Sequence, residues 1–377
     1  MSKVWRICFI HLIIIMMIGF TLPTVALSQS DIKIGILGPM TGPGSLMGQG
    51  QRDGALMVFD KINAEGGIKG RKIDPIVMDD QAQISLGINA AKKLVYKDEV
   101  LAVIGTPNSP VCLATMPITQ EAKTPQIVFG VAPKITQMGD PWFIRVTPSD
   151  SILAENFVNF VTQELKIKKL AVFHDSSDYG KGGLSAVENK LKEYNLAPVI
   201  VESFNVGDKD FSAQLNKIKN AGVGGVFLWG LYVEGAQIVT QAKQLGLSMP
   251  FFASSGVLQG AFLELAGEAA EGLYVVTYFS LENPAKDVQE FIRTYREKFQ
   301  RDPTPTSGLA YDGANVLVEA INQFGTDKDK IMKALRSLKD YKGVTGRLTS
   351  DDTGQAGRSA IIMQIKDKQA GVVWSSD

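Results

Sequence analysis

The feature that most restricts the fold of this chain is a regular alternation of short apolar runs with stretches of helical period, which starts at residue 31. The runs have the length and the β-branched composition of strands. They lie at 32–37, 73–78, 100–104, 126–129, 170–173, 199–201, 226–229 and 273–277. Between them, apolar residues recur every three or four positions, as at Leu153, Phe157 and Phe160. The sequence therefore predicts an α/β protein whose parallel sheets carry helices on both faces.

The first 28 residues have the pattern of a cleaved signal peptide. Lys3 and Arg6 precede an apolar segment at 7–20, and small residues follow at 26–28. The apolar segment is too short for a confident membrane span, and no second long apolar run follows it. Cys8 lies inside this segment rather than at the expected cleavage point, so we expect no lipid anchor. These observations predict a protein exported to the periplasm.

The charge balance and the scarcity of cysteine and histidine exclude several functions. The 39 basic and 39 acidic residues give no basic surface for nucleic acid. Without the leader, Cys112 and His174 are the only cysteine and histidine, so neither a disulfide nor a Cys/His metal site can form. A secreted hydrolase is the alternative, but it would need His174 as its base, and a histidine at a strand end is more often structural. We expect no enzyme activity, no cofactor and no metal.

The length of the mature chain predicts two lobes. The 349 residues that follow the leader (377 − 28) exceed what one α/β core normally holds. Three extended segments with little helical signal are candidates for crossings between the lobes, at 143–148, 276–280 and 342–346. Lobe 1 would then comprise 31–147 and 279–343, and lobe 2 would comprise 148–278 and 344–377. Three such crossings form a hinge.

The segment 105–109, Gly-Thr-Pro-Asn-Ser, follows a predicted buried strand and precedes a predicted helix. Ligands of α/β proteins bind beyond the carboxyl ends of the strands, where helix amino termini offer free N–H groups. Ser109 is therefore the first candidate ligand contact. The alternative is that Ser109 only caps the following helix.

Two other segments resemble functional motifs without satisfying them. The glycine-rich segment 35–48 does not fit G-x-G-x-x-G, because Met47 stands at the third glycine position and prolines remove N–H donors, so no dinucleotide is expected. Asp79 and Asp80 end a predicted strand, and we interpret them as caps rather than paired catalytic acids.

Seven ordered segments carry a family resemblance over essentially the whole mature chain. They lie at 38–42, 62–70, 105–109, 132–136, 175–182, 265–272 and 310–313. In these segments the chain resembles the leucine/isoleucine/valine-binding family of periplasmic solute-binding proteins. The resemblance implies the type I periplasmic binding fold, with two doubly wound parallel-sheet lobes joined by a three-crossing hinge. It also implies a monomer that delivers a small-molecule ligand to the permease subunits of an ABC transporter at the inner membrane.

The resemblance also assigns ligand-binding roles to individual positions. Ser109 matches the serine that holds the ligand carboxylate, and Tyr179 matches the tyrosine that closes over the ligand. A loop that supplies a carbonyl, an N–H and a hydroxyl matches Phe129, Gly130 and Val131. Further family contacts match Leu231, Ser255 and Met47.

Two of these positions depart from the family pattern. Val131 lacks the family's hydroxyl, and Ser255 lacks the carboxylate that pairs with the ligand ammonium. An unpaired ammonium buried in a closed cleft costs several kcal/mol, so the departures favour an aromatic or aliphatic acid with an apolar body. The alternatives are a branched-chain or other amino acid, with Asp312 or Glu234 as the substitute acid, or a sensor that feeds no transporter.

Overall fold

The computed structural model describes residues 30–259 and 261–376, so the predicted signal peptide at 1–28 lies outside the described residues. Strands and helices alternate along the described chain, as the sequence predicts. The strands are β1 (Ile32–Gly38), β2 (Ile73–Asp79), β3 (Ala102–Ile104), β4 (Gln126–Val128), β5 (Phe143–Arg145), β6 (Leu170–Asp175), β7 (Ile200–Phe204), β8 (Gly225–Trp229), β9 (Phe251–Ala253), β10 (Tyr274–Thr277), β11 (Tyr341–Gly343), β12 (Gly346–Leu348), β13 (Ile361–Lys366) and β14 (Gln369–Ser375).

The helices lie between the strands and, later, in a consecutive group. They are α1 (Ser45–Ala64), α2 (Ile84–Lys92), α3 (Ser109–Glu121), α4 (Lys134–Gln137), α5 (Asp150–Asn159), α6 (Asp178–Glu193), α7 (Ser212–Asn220), α8 (Tyr232–Gln244), α9 (Phe262–Ala266), α10 (Lys286–Phe299), α11 (Pro305–Phe324) and α12 (Lys328–Arg336). Short π-helical turns extend α2 over Lys93–Lys97 and α5 over Phe160–Glu164, and a 3-10 turn extends α9 over Gly267–Ala270. No helix in the described ranges is long and apolar enough to cross a membrane.

Two sheets share one strand order. The first sheet has the order β2-β1-β3-β4-β5 and is parallel throughout. The second has β7-β6-β8-β9-β10, also parallel, followed by β13 and β14, which pair antiparallel. The order reverses between β1 and β3 in the first sheet and between β6 and β8 in the second. Such reversal points open a crevice at the carboxyl ends of the strands, where α/β proteins bind ligands.

The chain passes between the sheets three times, as a three-crossing hinge requires. It leaves the first sheet after β5 and builds the second sheet from β6 to β10. It then returns with α10, α11 and α12, which pack against α1 and β5 of the first sheet. A third passage leads to β13 and β14 in the second sheet. The lobe boundaries given above stay a prediction.

Helix α5 shows how the sequence pattern builds the core. Its amino-terminal cap, Ser149, accepts a hydrogen bond from the Ile152 N–H at 3.3 Å. The helix buries Phe157, which meets Phe227 and Phe252 edge-on with ring centroids 5.6 and 5.7 Å apart. Burying one such ring contributes about 1.5–3 kcal/mol, and each edge-on contact adds about 0.5–1.5 kcal/mol. The apolar side chains that recur every three or four residues therefore anchor α5, the helix that follows the first crossing, in the core.

Candidate functional site

A cavity of about 250 Å³ lies at the carboxyl ends of both sheets. Residues after β1, β3 and β4 form one side, which we call the first wall, and residues after β6, β8 and β9 form the other, the second wall. The cavity is smaller than the roughly 300 Å³ at which pockets for drug-sized ligands begin, so it suits a small ligand. The described lining residues include no lysine, arginine or histidine, and Asp175 is the one acid among them.

Seven of the eight residues predicted as ligand contacts line this cavity, while Gly130 does not. The first wall includes Met47, Ser109, Phe129 and Val131, and the second wall includes Tyr179, Leu231 and Ser255. A Cβ on Gly130 would lie 2.7 Å from Ile135 Cδ1 and 2.9 Å from Cys112 Sγ, which places Gly130 behind the wall. That these residues contact a ligand stays a prediction.

Ser109 is buried at the start of α3 but does not cap it. Asn108 is the cap, and its side chain accepts a hydrogen bond from the Val111 N–H at 3.1 Å. The cap-only alternative for Ser109 is therefore wrong. Instead, Ser109 Oγ accepts hydrogen bonds from the Val131 and Ala132 N–H groups, both at 3.2 Å. No acceptor for the Ser109 hydroxyl hydrogen occurs among the described residues, so that hydrogen is available to a ligand.

Five helices begin at the cavity, which sets its electrostatic character. Lining residues stand at or next to the first residues of α1, α2, α3, α6 and α8. Each helix amino terminus carries roughly half a positive charge. The helix starts therefore favour a negatively charged group in a cavity that has no basic side chain among its described lining residues.

Tyr179 is held within the second wall. Its hydroxyl donates to Ser254 Oγ at 2.8 Å and accepts from the Gly256 N–H at 3.3 Å. Burial raises the pKa of Tyr179 well above its usual value, so the phenol stays neutral. The ring therefore offers an apolar face to the cavity while its hydroxyl bonds to the protein.

The second wall also contains an acid that the family pattern did not single out. Asp175, the last residue of β6, is 1% exposed and lines the cavity. Its Oδ1 accepts from the Ser177 N–H at 2.9 Å, from the Ser177 hydroxyl, and from the Gly180 N–H at 3.3 Å. Burial raises the pKa of Asp175, while the hydrogen bonds from Ser177 and Gly180 oppose that rise. Its position at a strand end, the same criterion that selected the segment before Ser109, could have identified it.

The two acids proposed as substitutes for the missing ammonium partner lie elsewhere. Asp312 accepts hydrogen bonds from the Val344 N–H at 2.8 Å and from the Thr345 N–H at 2.9 Å. Glu234 accepts from the Gly207 N–H at 2.8 Å. Neither lines the cavity. Both acids are committed to the backbone of neighbouring loops, so that interpretation is corrected.

Asp150 is a buried acid just after the first crossing. It is fully buried, its N–H donates to the Val131 carbonyl at 2.8 Å, and neither carboxyl oxygen has a hydrogen-bond partner. Burial raises the pKa of Asp150 to about 8, while the nearby Trp229 and Arg145 lower it. The Trp229 indole N–H lies close, but the geometry falls short of a hydrogen bond. The carboxyl is therefore mostly protonated at neutral pH.

The two walls touch across the cavity. Gly182 in α6 lies against the loop before α4, since a Cβ on Gly182 would come within 3.0 Å of Pro133 Cδ. Leu46, at the start of α1, packs against the apolar core of the second sheet. Tyr278, which follows β10, lies beside the second crossing and also lines the cavity. The structure is thus a cleft closed over a small cavity.

Comparisons with known proteins agree over nearly the whole described chain. The pattern of the periplasmic binding protein family matches residues 31–370. A leucine-, isoleucine-, valine-, threonine- and alanine-binding protein of Pseudomonas aeruginosa is 31% identical over 336 residues, which cover 87% of this chain and 88% of that protein. The leucine-binding protein LivK of Thermotoga maritima superposes with a TM-score of 0.85 at 29% identity, covering 91% of this chain and 98% of the other. LivJ of Streptococcus pneumoniae, solved in complex with isoleucine, superposes with a TM-score of 0.84 at 28% identity, covering 91% of this chain and 99% of the other.

Proposed function

This chain belongs to the periplasmic binding protein family, and we propose that it is the solute receptor of an ABC importer for a small carboxylate with an apolar body. It would work in the periplasm after removal of residues 1–28, and its closed form would be recognised by the permease subunits at the inner membrane. It binds its ligand without converting it. The relatives named above are binding proteins, which supports this class of function.

One observation carries the preference for a carboxylate. Residues at five helix starts, together with Ser109, line a cavity with no basic side chain among its described lining residues. Neutral donors and helix dipoles can stabilise an anion without a paired cation. Charge-assisted hydrogen bonds of this kind contribute about 1.5–3 kcal/mol each. A carboxylate is a small anion that fits one hydroxyl beside a helix start.

The rest of the cavity supports an apolar ligand body. Met47, Phe129 and Val131 line the first wall, and Leu231 faces them from the second. Phe129 is 2% exposed, and its ring adds to the apolar lining of the first wall. Apolar surface buried against these side chains contributes about 25 cal/mol per Å².

A branched-chain amino acid is the second candidate, and Asp175 is the observation that favours it. The relatives from Pseudomonas aeruginosa and Thermotoga maritima are named for leucine binding, and Asp175 places one carboxyl in the cavity. Ser255 and Val131, however, offer no carboxylate or hydroxyl where the resemblance implies both. An ammonium has three N–H donors, and the desolvation of an incompletely paired cation is unfavourable.

Calorimetric titration with matched acids and amides tests the proposal. Benzoate, 3-phenylpropanoate and 4-methylpentanoate should bind about 10- to 100-fold more tightly than their carboxamides, because only the acids carry the charge. Small-angle scattering should show a smaller radius of gyration at saturation, since closure requires contacts on both walls. Equal binding of acids and amides would remove the basis for the carboxylate assignment. Tight leucine binding with no binding of the plain acids would select the second candidate.

A further inference from the structure

Asp175 has one carboxylate oxygen that the fold does not use. All the hydrogen bonds that its side chain accepts from the described residues go to Oδ1, from Ser177 and Gly180. Oδ2 accepts none of these hydrogen bonds. Asp175 is 1% exposed and lines the cavity, so it brings a nearly buried carboxylate with an unused oxygen to the cavity wall.

The position of this oxygen is fixed before a ligand arrives. Asp175 ends β6, and its carbonyl is hydrogen-bonded to His174 Nδ1 at 2.7 Å. The donors on Oδ1 come from the turn into α6 and hold the carboxylate plane. An acceptor held by its own scaffold loses little side-chain freedom on binding, which favours affinity and selectivity.

Ser109 and Asp175 lie on opposite walls. Ser109 supplies a hydroxyl donor on the first wall, and Asp175 supplies an acceptor on the second. Apolar side chains, including Phe129 and Leu231, line the space they share. A ligand that satisfies both needs an acceptor at one end, an apolar body, and a hydrogen-bond donor placed away from its carboxylate.

We propose that Asp175 Oδ2 accepts a hydrogen bond from a hydroxyl group on the ligand, so that the receptor selects hydroxylated acids over the same acids without the hydroxyl. The inference rests on the proposed function and names the ligand class more narrowly. A hydroxyl suits the site because it brings one donor to one free oxygen. An ammonium would bring three donors, and the neighbouring Ser255 and Val131 provide no second carboxylate.

The first experiment compares ligands that differ by one group. Competitive calorimetry uses 4-hydroxybenzoate against benzoate, and 3-(4-hydroxyphenyl)propanoate against 3-phenylpropanoate. In at least one pair the hydroxylated acid should bind about 10- to 100-fold more tightly, the range of a hydrogen bond to a charged group. The methyl ether 4-methoxybenzoate, which accepts but cannot donate, should bind no better than benzoate.

The second experiment changes the polarity of the oxygen and leaves the turn intact. In Asp175→Asn the amide oxygen can still accept from Ser177 and Gly180, while the amide nitrogen replaces Oδ2 and becomes a donor. The preference for the hydroxyl should fall by about tenfold or more, and the methyl ether should gain relative to benzoate. The ratio within each pair cancels the general effect of removing a negative charge. Asp178→Asn is the matched control, because Asp178 is exposed and does not line the cavity.

The outcomes separate the inference from the proposed function. Hydroxylated and plain acids that bind equally in both pairs would overturn the inference and leave the carboxylate receptor standing. A hydroxyl preference that survives Asp175→Asn unchanged would also overturn it. Failure of every acid in the panel to bind would overturn both. If Asp175→Asn does not fold, as judged by thermal unfolding, the comparison of ligand pairs in the parent still decides the hydroxyl preference.

Discussion

The two walls of the cavity stand on sheets with the same strand order, yet they present opposite polar chemistry. The first wall offers neutral donors, with Ser109 Oγ held by the Val131 and Ala132 N–H groups. The second wall offers a carboxylate, Asp175, beside a tyrosine whose hydroxyl bonds back to the protein. The shared topology therefore fixes where a ligand lies, and the residues at the strand ends decide which end of the ligand each wall accepts.

Asp150 lies where the walls meet and gives the largest expected effect. Its buried carboxyl has no hydrogen bond, and burial raises its pKa to about 8. The folded state therefore holds a proton that the unfolded state releases between about pH 4 and pH 8, so this group makes stability fall as pH rises through that window. Asp150→Asn removes the titration. The free energy of unfolding of the variant, relative to that of the parent, should therefore rise by on the order of 4 kcal/mol between pH 4 and pH 7.

Urea unfolding of parent and variant at about pH 4.5 and about pH 7.5 measures this effect. Other buried acids, such as Asp80 with its pKa raised to about 6, occur in both proteins and cancel in the difference. Asp312→Asn is the contrasting variant, because burial raises the pKa of Asp312 only to about 6 and its carboxylate accepts hydrogen bonds from Val344 and Thr345. That change should destabilise by about 1–3 kcal/mol. A stability difference for Asp150→Asn that does not vary with pH would contradict the protonated state.

The next prediction gives the cavity the ammonium partners that the resemblance implies. Val131→Thr adds a hydroxyl to the first wall, and Ser255→Glu adds a carboxylate to the second. The double variant should shift the ratio of leucine affinity to 4-methylpentanoate affinity towards leucine by about a hundredfold, which corresponds to roughly 3 kcal/mol. The new groups would pair with the ammonium of leucine, and the new carboxylate would repel the plain acid. Competitive calorimetry measures the ratio, with each single variant as a control. Tight leucine binding by the parent would instead point to Asp175 as the existing partner.

Ser109→Ala tests the first wall alone. It removes the hydroxyl donor and should weaken every acid by about 1.5–3 kcal/mol, because the lost hydrogen bond is charge-assisted. The ratio between hydroxylated and plain acids should stay the same, since that ratio belongs to the second wall. Ser176→Ala is a suitable control, because the Ser176 hydroxyl donates a hydrogen bond to Asn205 Oδ1 and Ser176 does not line the cavity. An altered ratio would show that the two walls do not act separately.

The sequence was sufficient for the fold and for the general position of the cavity. Strand runs that end at small polar residues predicted the crevice, and the resemblance then selected seven residues that line it. Both signals are local, so a single sequence shows them. Gly130 was selected by the same reasoning, but the space around its Cβ is filled by Ile135 and Cys112, which only the packing reveals.

Asp150 and the edge of the second sheet show what the sequence could not give. The burial of Asp150 depends on Val131 and Trp229, which are distant in the chain. The late strands β13 and β14 run antiparallel, and their direction depends on pairing with β10. Alternation of apolar and polar residues predicts a strand but not its direction. The direction is set by contacts between segments that are distant in the chain.

Tyr179→Phe gives the smallest expected effect and sharpens the contrast between the walls. Ser109 keeps a hydrogen for the ligand, whereas the Tyr179 hydroxyl donates to Ser254 at 2.8 Å and accepts from Gly256 at 3.3 Å. Removing that hydroxyl should cost about 1 kcal/mol of folding stability and change acid affinity by less than about threefold, because the ring that faces the cavity remains. Urea unfolding and calorimetry on the same preparation measure the two quantities. The opposite outcome is a loss of acid affinity of about tenfold at unchanged stability. It would mean that the Tyr179 hydroxyl leaves Ser254 and donates to the ligand on binding, so that the second wall donates hydrogen bonds as well as accepting them.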